Sequence, residues 1–325
     1  MDRYRLLRWA LAAGALGFAA LCSIYFVVNI TPGLIPDTLI QKVREPDLLR
    51  YPKAKRCADC HKDIFEAWKE SRHSVAWVSE GYVKASENHS KEKCLNCHIP
   101  TTVFPGEKPQ PRLKHRDDGI YCVPCHLKED AMHGPYDILS PPHPTKQNDA
   151  YRTAKFCSSC HEKTYKQWQA TGSGKTCQSC HMQRKLARLT QSFPKSLLHA
   201  KREVADHSFP KREITEVDIA VTGTFGKRVF ELELTNLNVP HWVPTADNGD
   251  PRMYLYTTFF DEAGKAIDEY KEILAPQQET ALPYKKSVKY RYLAGSNVQR
   301  AELLIQYTPA WSKEKTDVKR VHFSR

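Results

Sequence analysis

Long hydrophobic runs are scarce in this sequence of 325 residues, and only one, near the amino terminus, is both long and uncharged. A single run excludes a polytopic membrane protein. Disordered chains have few hydrophobic residues, whereas this chain has 41% of them beside 26% charged residues, so it is expected to fold. Its length is sufficient for about two domains. Cysteine is absent after residue 180, which confines thiol chemistry to the first part of the chain.

Cysteine and histidine are abundant before that point, and the whole chain has 11 and 14 of them. Ten cysteines form five copies of Cys-x-x-Cys-His, the covalent attachment signature of c-type haem. Two thiols three positions apart can add to the vinyl groups of one porphyrin, and the next residue supplies the proximal imidazole. The paired cysteines are Cys57 and Cys60, Cys94 and Cys97, Cys122 and Cys125, Cys157 and Cys160, and Cys177 and Cys180, and the histidines are His61, His98, His126, His161 and His181. The sequence therefore predicts five covalently bound c-type haems.

Three other interpretations of the cysteines fit less well. A disulfide framework explains an even number of paired cysteines but not a histidine after every second one. Zinc sites also use Cys-x-x-Cys pairs, but five pairs do not divide into four-ligand sites and the histidines would have no role. A thioredoxin-like redox motif needs one copy rather than five.

The apolar run predicts one membrane anchor. Residues 1–8 carry three arginines, and the 22 residues Trp9–Ile30 are uncharged, which at about 1.5 Å per residue spans a bilayer. The basic flank favours a single pass through the cytoplasmic membrane with the bulk on the extracytoplasmic side, in the periplasm or at the cell surface. A cleaved signal peptide with small residues at Ala19 and Ala20 is the alternative, but the apolar run continues beyond them.

Composition changes along the chain predict five parts. They are a cytoplasmic basic flank (1–8), a transmembrane anchor (9–30), a linker (31–50), a pentahaem cytochrome c domain of short α-helices and loops around stacked haems (51–212), and an all-β domain (213–325). A helix is expected over Lys62–Ser71. In the last part about seven short segments alternate apolar and polar residues, and Asp261–Gly264 has the composition of a hairpin turn. This pattern predicts an antiparallel, immunoglobulin-like sandwich.

Nearly all of the formal net charge of +12 lies in the region of the motifs, since residues 51–212 carry +11. A basic domain often indicates a nucleic-acid partner. Five haems, however, would bring ten propionate carboxylates that can pair with these cations. We therefore predict no binding of nucleic acid.

Nine further histidines are available as second axial ligands, and seven of them lie within residues 51–212. The chain has only 4 methionines, so bis-histidine ligation, which generally gives low redox potentials, is favoured over methionine ligation. The candidate distal ligands are His73, His89, His115, His133, His143 and His207.

The motif Cys57–His61 is followed by Phe65-Glu66-Ala67-Trp68 and Ser71-Arg72-His73, and Gly119–His126 is followed by His133. Over roughly residues 57–161, this arrangement resembles the tetrahaem cytochrome c family of ammonia-oxidising bacteria. The resemblance implies that His73 ligates the Cys122/Cys125 haem and His133 the Cys57/Cys60 haem. The family differs in having Gly-Pro-Gly where this chain has Leu127–Asp130, and it lacks the fifth haem and the β domain. The segment around His207 resembles a ligand segment found after the last motif of multihaem cytochromes.

Together these features favour electron transfer over catalysis. The donor would be the quinone pool or a membrane oxidoreductase, and the extracytoplasmic partner another cytochrome or a soluble redox protein. One alternative is an oxidoreductase that acts on a small nitrogen or sulfur compound at a haem with an open axial position. The resemblance implies the Cys94/Cys97 haem for this role, unless His89 or His115 fills the position. The other alternative is a quinol dehydrogenase.

Overall fold

The computed structural model describes residues 3–29, 46–139, 142–210 and 213–325. The chain divides into two compact units, one of Met1–Ser159 with Thr176–Lys211 and one of Cys160–Lys175 with Arg212–Arg325. Most of the predicted linker, and the predicted domain boundary at residue 212, lie outside the described residues.

The first unit begins with helix α1, Arg3–Asn29. Its segment Trp9–Val27 has a mean hydropathy of 2.0, and it is the one helix of the described residues that is long and apolar enough to cross a membrane. A signal sequence near the amino terminus has the same properties. The helix therefore agrees with an anchor without showing on which side the rest of the chain lies.

Short helices and small sheets make up the remainder of the first unit. The helices are α2 (Ala54–Ala58), α3 (Lys62–Lys69), α4 (Glu80–Ala85), α5 (Glu92–His98), α6 (Cys122–His126), α8 (Cys177–His181) and α9 (Lys195–Leu198), and the strands are β1 (Leu127–Lys128), β2 (Ala131–Gly134), β3 (Thr145–Gln147), β4 (Arg184–Ala187) and β5 (Arg202–Ala205). Helix α7, Glu162–Gln169, lies between them in sequence but belongs to the second unit.

Helix α3 shows how the predicted helix forms. Asp63 in its first turn and Lys69 in its last complement the helix dipole. Trp68 buries its ring, and its indole Nε1 donates a hydrogen bond of 2.8 Å to the carbonyl of Ile120. The helix over Lys62–Lys69 confirms the prediction from apolar spacing and joins the first motif to the segment before the third.

The apolar core of the first unit is small and divided. One cluster holds Ala54, Trp68, Tyr121, Val123 and Leu127, and another holds Trp77, Tyr82 and Ile99. Each has only a few buried side chains. Protein atoms alone therefore supply this unit with little of the interior that a domain of its length would normally have.

Seven antiparallel strands form two sheets in the second unit. They are β6 (Ile219–Phe225), β7 (Val229–Asn236), β8 (Arg252–Phe260), β9 (Ala266–Leu274), β10 (Ser287–Leu293), β11 (Arg300–Thr308) and β12 (Thr316–Ser324), in the orders β10-β7-β6 and β12-β11-β8-β9. The predicted number of strands is confirmed, and so is the turn at Asp261–Gly264, where the Asp261 amide donates to Lys265. The narrower prediction of an immunoglobulin-like class stays a prediction.

Alternate residues of these strands meet in one continuous core. Phe230, Leu232 and Leu234 on β7 are fully buried, as are Leu255 on β8 and Leu303 on β11. Residue 223, which pairs with Leu232, is a glycine, and a Cβ atom there would lie 2.6 Å from the Phe230 ring and 2.7 Å from Phe323. The second unit therefore has the self-sufficient core that the first lacks.

Candidate functional site

Three of the five Cys-x-x-Cys-His motifs lie on about one helical turn, which brings the two thiols to the same side of the backbone. The second, third and fifth motifs are the last residues of α5, all of α6 and all of α8. In the first and fourth motifs a turn of helix ends near the first cysteine, and the histidine then caps a following helix. His61 is the N-cap of α3, and His161 is the N-cap of α7.

The ten motif cysteines are all partly buried. The Cys57 and Cys122 thiols are joined by a hydrogen bond, which lowers the pKa of Cys57 and raises that of Cys122. A hydrogen bond with Cys177 likewise raises the pKa of Cys157, to which the charge of Cys125 also contributes. Attachment sites that are distant in sequence are therefore neighbours in the fold, namely the first and third, the third and fourth, and the fourth and fifth.

Backbone carbonyls hold most of the motif histidines through Nδ1. The contacts are His61 to Leu189 at 2.5 Å, His98 to Ala76 at 2.6 Å, His126 to His133 at 2.7 Å and His181 to Pro210 at 3.4 Å. A carbonyl oxygen can only accept, so Nδ1 must carry the proton and donate it. The other nitrogen, Nε2, is then left unprotonated, which is the form that binds a metal ion.

Two motif histidines face a second histidine ring. The ring centroids of His61 and His143 are 6.3 Å apart, and those of His126 and His207 are 6.2 Å apart. With metal–nitrogen bonds of about 2 Å, two imidazoles on opposite sides of one metal ion have centroids about 6.3 Å apart. Nδ1 of His207 also donates to a carbonyl, that of Ala205 at 2.9 Å.

Burial keeps these four imidazoles neutral. Loss of hydration lowers the pKa of His126 and of His143 to about 4. The pKa values of His61 and His207 are lowered by the same cause. Because only a neutral imidazole can bind iron, both members of each facing pair are in the form that axial ligation requires.

A buried, unpartnered histidine supports the same interpretation. The His133 side chain is only 8% exposed, and within the described part of the chain neither of its ring nitrogens has a hydrogen-bond partner. Buried polar atoms of this kind are costly unless a ligand satisfies them. The paired thiols, the neutral imidazoles and this orphaned ring together fit a covalently attached haem. The motif cysteines and histidines predicted from the sequence are the residues that would hold it.

The other predicted distal ligands lie in varied surroundings. His73 packs edge-on against Phe209 with centroids 4.3 Å apart. His89 stacks on Trp77 at 3.8 Å, beside Tyr82, which itself stacks on His98 at 3.8 Å. His115 is half-buried and lines an open pocket with Lys53 and Arg116.

The histidines that face His61 and His126 are thus His143 and His207. The resemblance to the tetrahaem family instead implied His133 as the partner of His61 and His73 as the partner of His126. That pairing stays a prediction.

A carboxylate, which the sequence analysis did not single out, holds the fourth motif histidine. Asp247 Oδ2 lies 3.4 Å from His161 Nδ1, inside the second unit. Burial opposes ionisation of Asp247, but His161, the Lys163 amide and the Thr164 hydroxyl outweigh it and lower the carboxyl pKa. No spacing rule connects this loop residue to the motif, so the sequence carried no signal for it.

The chain has the fold of a multihaem c-type cytochrome. A family model described as "Cytochrome c554 and c-prime" matches residues 56–127. The structure is similar to a penta-haem cytochrome c552 from Thermochromatium tepidum, with a TM-score of 0.56 and 15% identity over 85% of this chain and 100% of that one. A putative β-galactosidase from Bacteroides fragilis matches 33% of this chain and 15% of its own at a TM-score of 0.20 and 7% identity, which is too low to carry an argument. No curated protein matches the chain.

Proposed function

We propose that the protein is a membrane-anchored electron-transfer cytochrome with five c-type haems. Its donor would be the quinone pool or a membrane oxidoreductase, and its acceptor an extracytoplasmic cytochrome or soluble redox protein. A c-type haem, when bound, supplies one-electron chemistry because its iron cycles between two oxidation states. The family match and the fold support a c-type cytochrome, whereas the number of haems and the partners are part of the proposal.

The neighbouring attachment sites are the observation that carries this function. Cys57 contacts Cys122, and Cys157 contacts Cys177, while the charge of Cys125 acts on Cys157. The chain thereby places four of its five motifs in one connected series. Electron tunnelling falls steeply with distance, so closely spaced attachment sites are what a transfer protein needs and what a single-site enzyme does not.

The facing histidine pairs support transfer rather than catalysis at two of the sites. We assign His143 as the partner of His61 and His207 as the partner of His126, from their ring separations of 6.3 Å and 6.2 Å. Two protein ligands on one iron leave no position for a substrate. The apolar segment Trp9–Val27 supports attachment to a membrane, and haem attachment to such motifs outside the cytoplasm supports an extracytoplasmic location for the rest.

The proposal is tested first on the purified full-length protein, by its mass and by reduction with a quinol analogue in detergent. We expect five haems per chain and reduction of all of them. Fewer haems would contradict the five-haem assignment. A chain with five haems that a quinol cannot reduce would contradict the quinone pool as donor and leave a membrane oxidoreductase. A high-spin haem in the oxidised native protein would instead support the alternative, an oxidoreductase acting on a small nitrogen or sulfur compound.

The ligand pairs are tested by substitution. His143→Ala and His207→Ala should each convert one low-spin haem to the high-spin form in the electron paramagnetic resonance spectrum. His115→Ala is the matched control, because His115 lines an open pocket, and it should leave the spectrum of these two haems unchanged. Variants in which no haem changes from low-spin to high-spin would reject the pairing.

A further inference from the structure

One motif histidine is held differently from the other four. His61, His98, His126 and His181 each direct Nδ1 at an uncharged backbone carbonyl. His161 instead directs Nδ1 at the carboxylate of Asp247. Both residues belong to the second unit, and Asp247 lies on the loop between β7 and β8.

The surroundings of Asp247 fix its carboxylate in this position. Oδ1 accepts a hydrogen bond of 2.6 Å from the Lys163 amide, and Oδ2 accepts one of 3.0 Å from the Thr164 hydroxyl. The Asp247 side chain is only 11% exposed, whereas that of His161 is 55% exposed. The carboxylate is thus buried, hydrogen-bonded and directed at the imidazole, while much of the imidazole remains accessible.

Further contacts connect helix α7 to the same loop. Thr164 Oγ1 lies 3.0 Å from Thr245 Oγ1, and the Gln167 side-chain oxygen accepts a 2.8 Å bond from Thr245 and a 3.3 Å bond from the Trp242 amide. These bonds hold the loop that carries Asp247 against the helix that His161 caps. The contact between Asp247 and His161 is therefore built into the fold of this unit.

We propose that Asp247 is a positioning residue that makes His161 a stronger electron donor than the other motif histidines, and so lowers the redox potential of the haem attached at Cys157 and Cys160. This inference rests on the proposed function, since it requires a haem at that motif. A carboxylate partner on Nδ1 raises the basicity of the imidazole as a ligand. Its negative charge also favours the more positive oxidation state of the metal. Hydrogen bonding to an axial ligand is one of the means by which a protein sets the potential of a haem.

The first test compares Asp247→Asn with the wild type, as full-length holoprotein, in a redox titration followed by visible and electron paramagnetic resonance spectra. The amide keeps the shape but loses the charge. At a fixed solution potential, we expect the ratio of the reduced to the oxidised form of one haem to rise about tenfold. For a one-electron couple this corresponds to an increase of about 59 mV in the redox potential of that haem. The matched control is Asp250→Asn, which removes a charge from the same loop where Asp250 pairs with Arg252 at 2.5 Å. This variant should leave the redox potential of every haem unchanged within experimental error.

A second variant separates a change in donor strength from a disturbed structure. Thr164→Val removes one hydrogen bond to Oδ2 without removing the carboxylate, so the remaining charge acts more strongly on His161. The same haem should then shift in the opposite direction, toward the oxidised form. If Asp247→Asn does not fold, this variant decides the question alone, and the absence of a shift toward the oxidised form overturns the proposal.

Failure of this inference is distinguishable from failure of the proposed function. The mass of each protein gives its number of haems before the titration. Five haems with no shift in Asp247→Asn, or with shifts of the same sign in both variants, would overturn the role of Asp247 and leave the pentahaem assignment intact. A wild-type chain without a haem on Cys157 and Cys160 would overturn both.

Discussion

The two units of this protein reach a folded state by different means. The hydrophobic clusters of the first unit are small, and buried polar atoms such as both ring nitrogens of His133 lack partners among the described residues. In the second unit 17 buried residues form one cluster between two sheets. The first unit thus has an interior that protein atoms alone do not complete, whereas the second completes its own.

This difference shows what covalently bound cofactors can replace. A haem is a large apolar group, and several of them can supply the surface that a chain of this length would otherwise bury with its own side chains. The short helices around the motifs then serve to place thiols and imidazoles. The seven long strands, by contrast, bury alternate side chains and need nothing else for their stability.

The largest difference between the two units is expected when the chain is made without haem. In cells that lack cytochrome maturation, we expect the first unit to lose protection from protease completely, while β6 to β12 keep theirs. Limited proteolysis followed by mass spectrometry would measure this, with the holoprotein as the control. Equal protection of both units in the haem-free chain would contradict the comparison.

A cavity in the β core should destabilise the second unit while leaving the haem spectrum unchanged. Leu232→Ala removes a fully buried side chain, so the free energy of unfolding should fall by about 2–5 kcal/mol. Urea unfolding followed by circular dichroism measures the loss. Leu293→Ala, at a side chain that is 76% exposed, is the control and should change stability by about 0.5 kcal/mol or less. Similar losses for both would argue against a single packed core.

An added methyl group in the same core should lower the free energy of unfolding somewhat less than the cavity does. The added methyl group of Gly223→Ala would meet the rings of Phe230 and Phe323, and such overpacking typically costs about 1–3 kcal/mol. Gly174→Ala lies in the same unit with no atom within 4 Å of the new Cβ, so it serves as the control. Thermal unfolding of the two variants should differ, and identical midpoints would show that the rings move aside freely.

A surface ion pair in the first unit should have the smallest effect. Lys128 and Thr102 lower the pKa of Glu107 by hydrogen bonding, and Lys128 Nζ lies 2.8 Å from Glu107 Oε1. A carboxyl with a lowered folded pKa stabilises the protein above its unfolded pKa and loses this effect as the pH falls through the folded pKa. Glu107→Gln should therefore cost about 0.5 kcal/mol near neutral pH, and the difference from wild type should vanish in acid. A pH-independent difference in the unfolding midpoint would contradict this account.

Local patterns in the sequence predicted much of this fold. The spacing of Phe65 and Trp68 indicated helix α3, and the apolar residues Val229, Leu232 and Leu234 indicated strand β7. These features depend on neighbouring residues, so they can be recognised without the rest of the fold. The motifs likewise predicted the haem-attachment residues, because the chemistry requires that spacing.

Contacts between distant segments could not be predicted in the same way. His143 follows a proline-rich loop, and only the folded chain brings its ring opposite His61. Asp247 reaches His161 through a loop between two strands, and nothing in the motif indicates which acceptor its histidine will meet. The sequence analysis named all three histidines as candidate ligands but gave no reason to single out the aspartate.

The position of helix α7 has a practical consequence for anyone who wishes to shorten this protein. A chain cut after residue 212 would keep all five motifs and would look like a minimal module for conducting electrons. It would nevertheless discard Asp247, Thr245 and Trp242, the residues that hold α7 and its capping histidine. The border of the strand-rich part and the border of the cofactor-binding part do not coincide, so a working miniature would have to retain both.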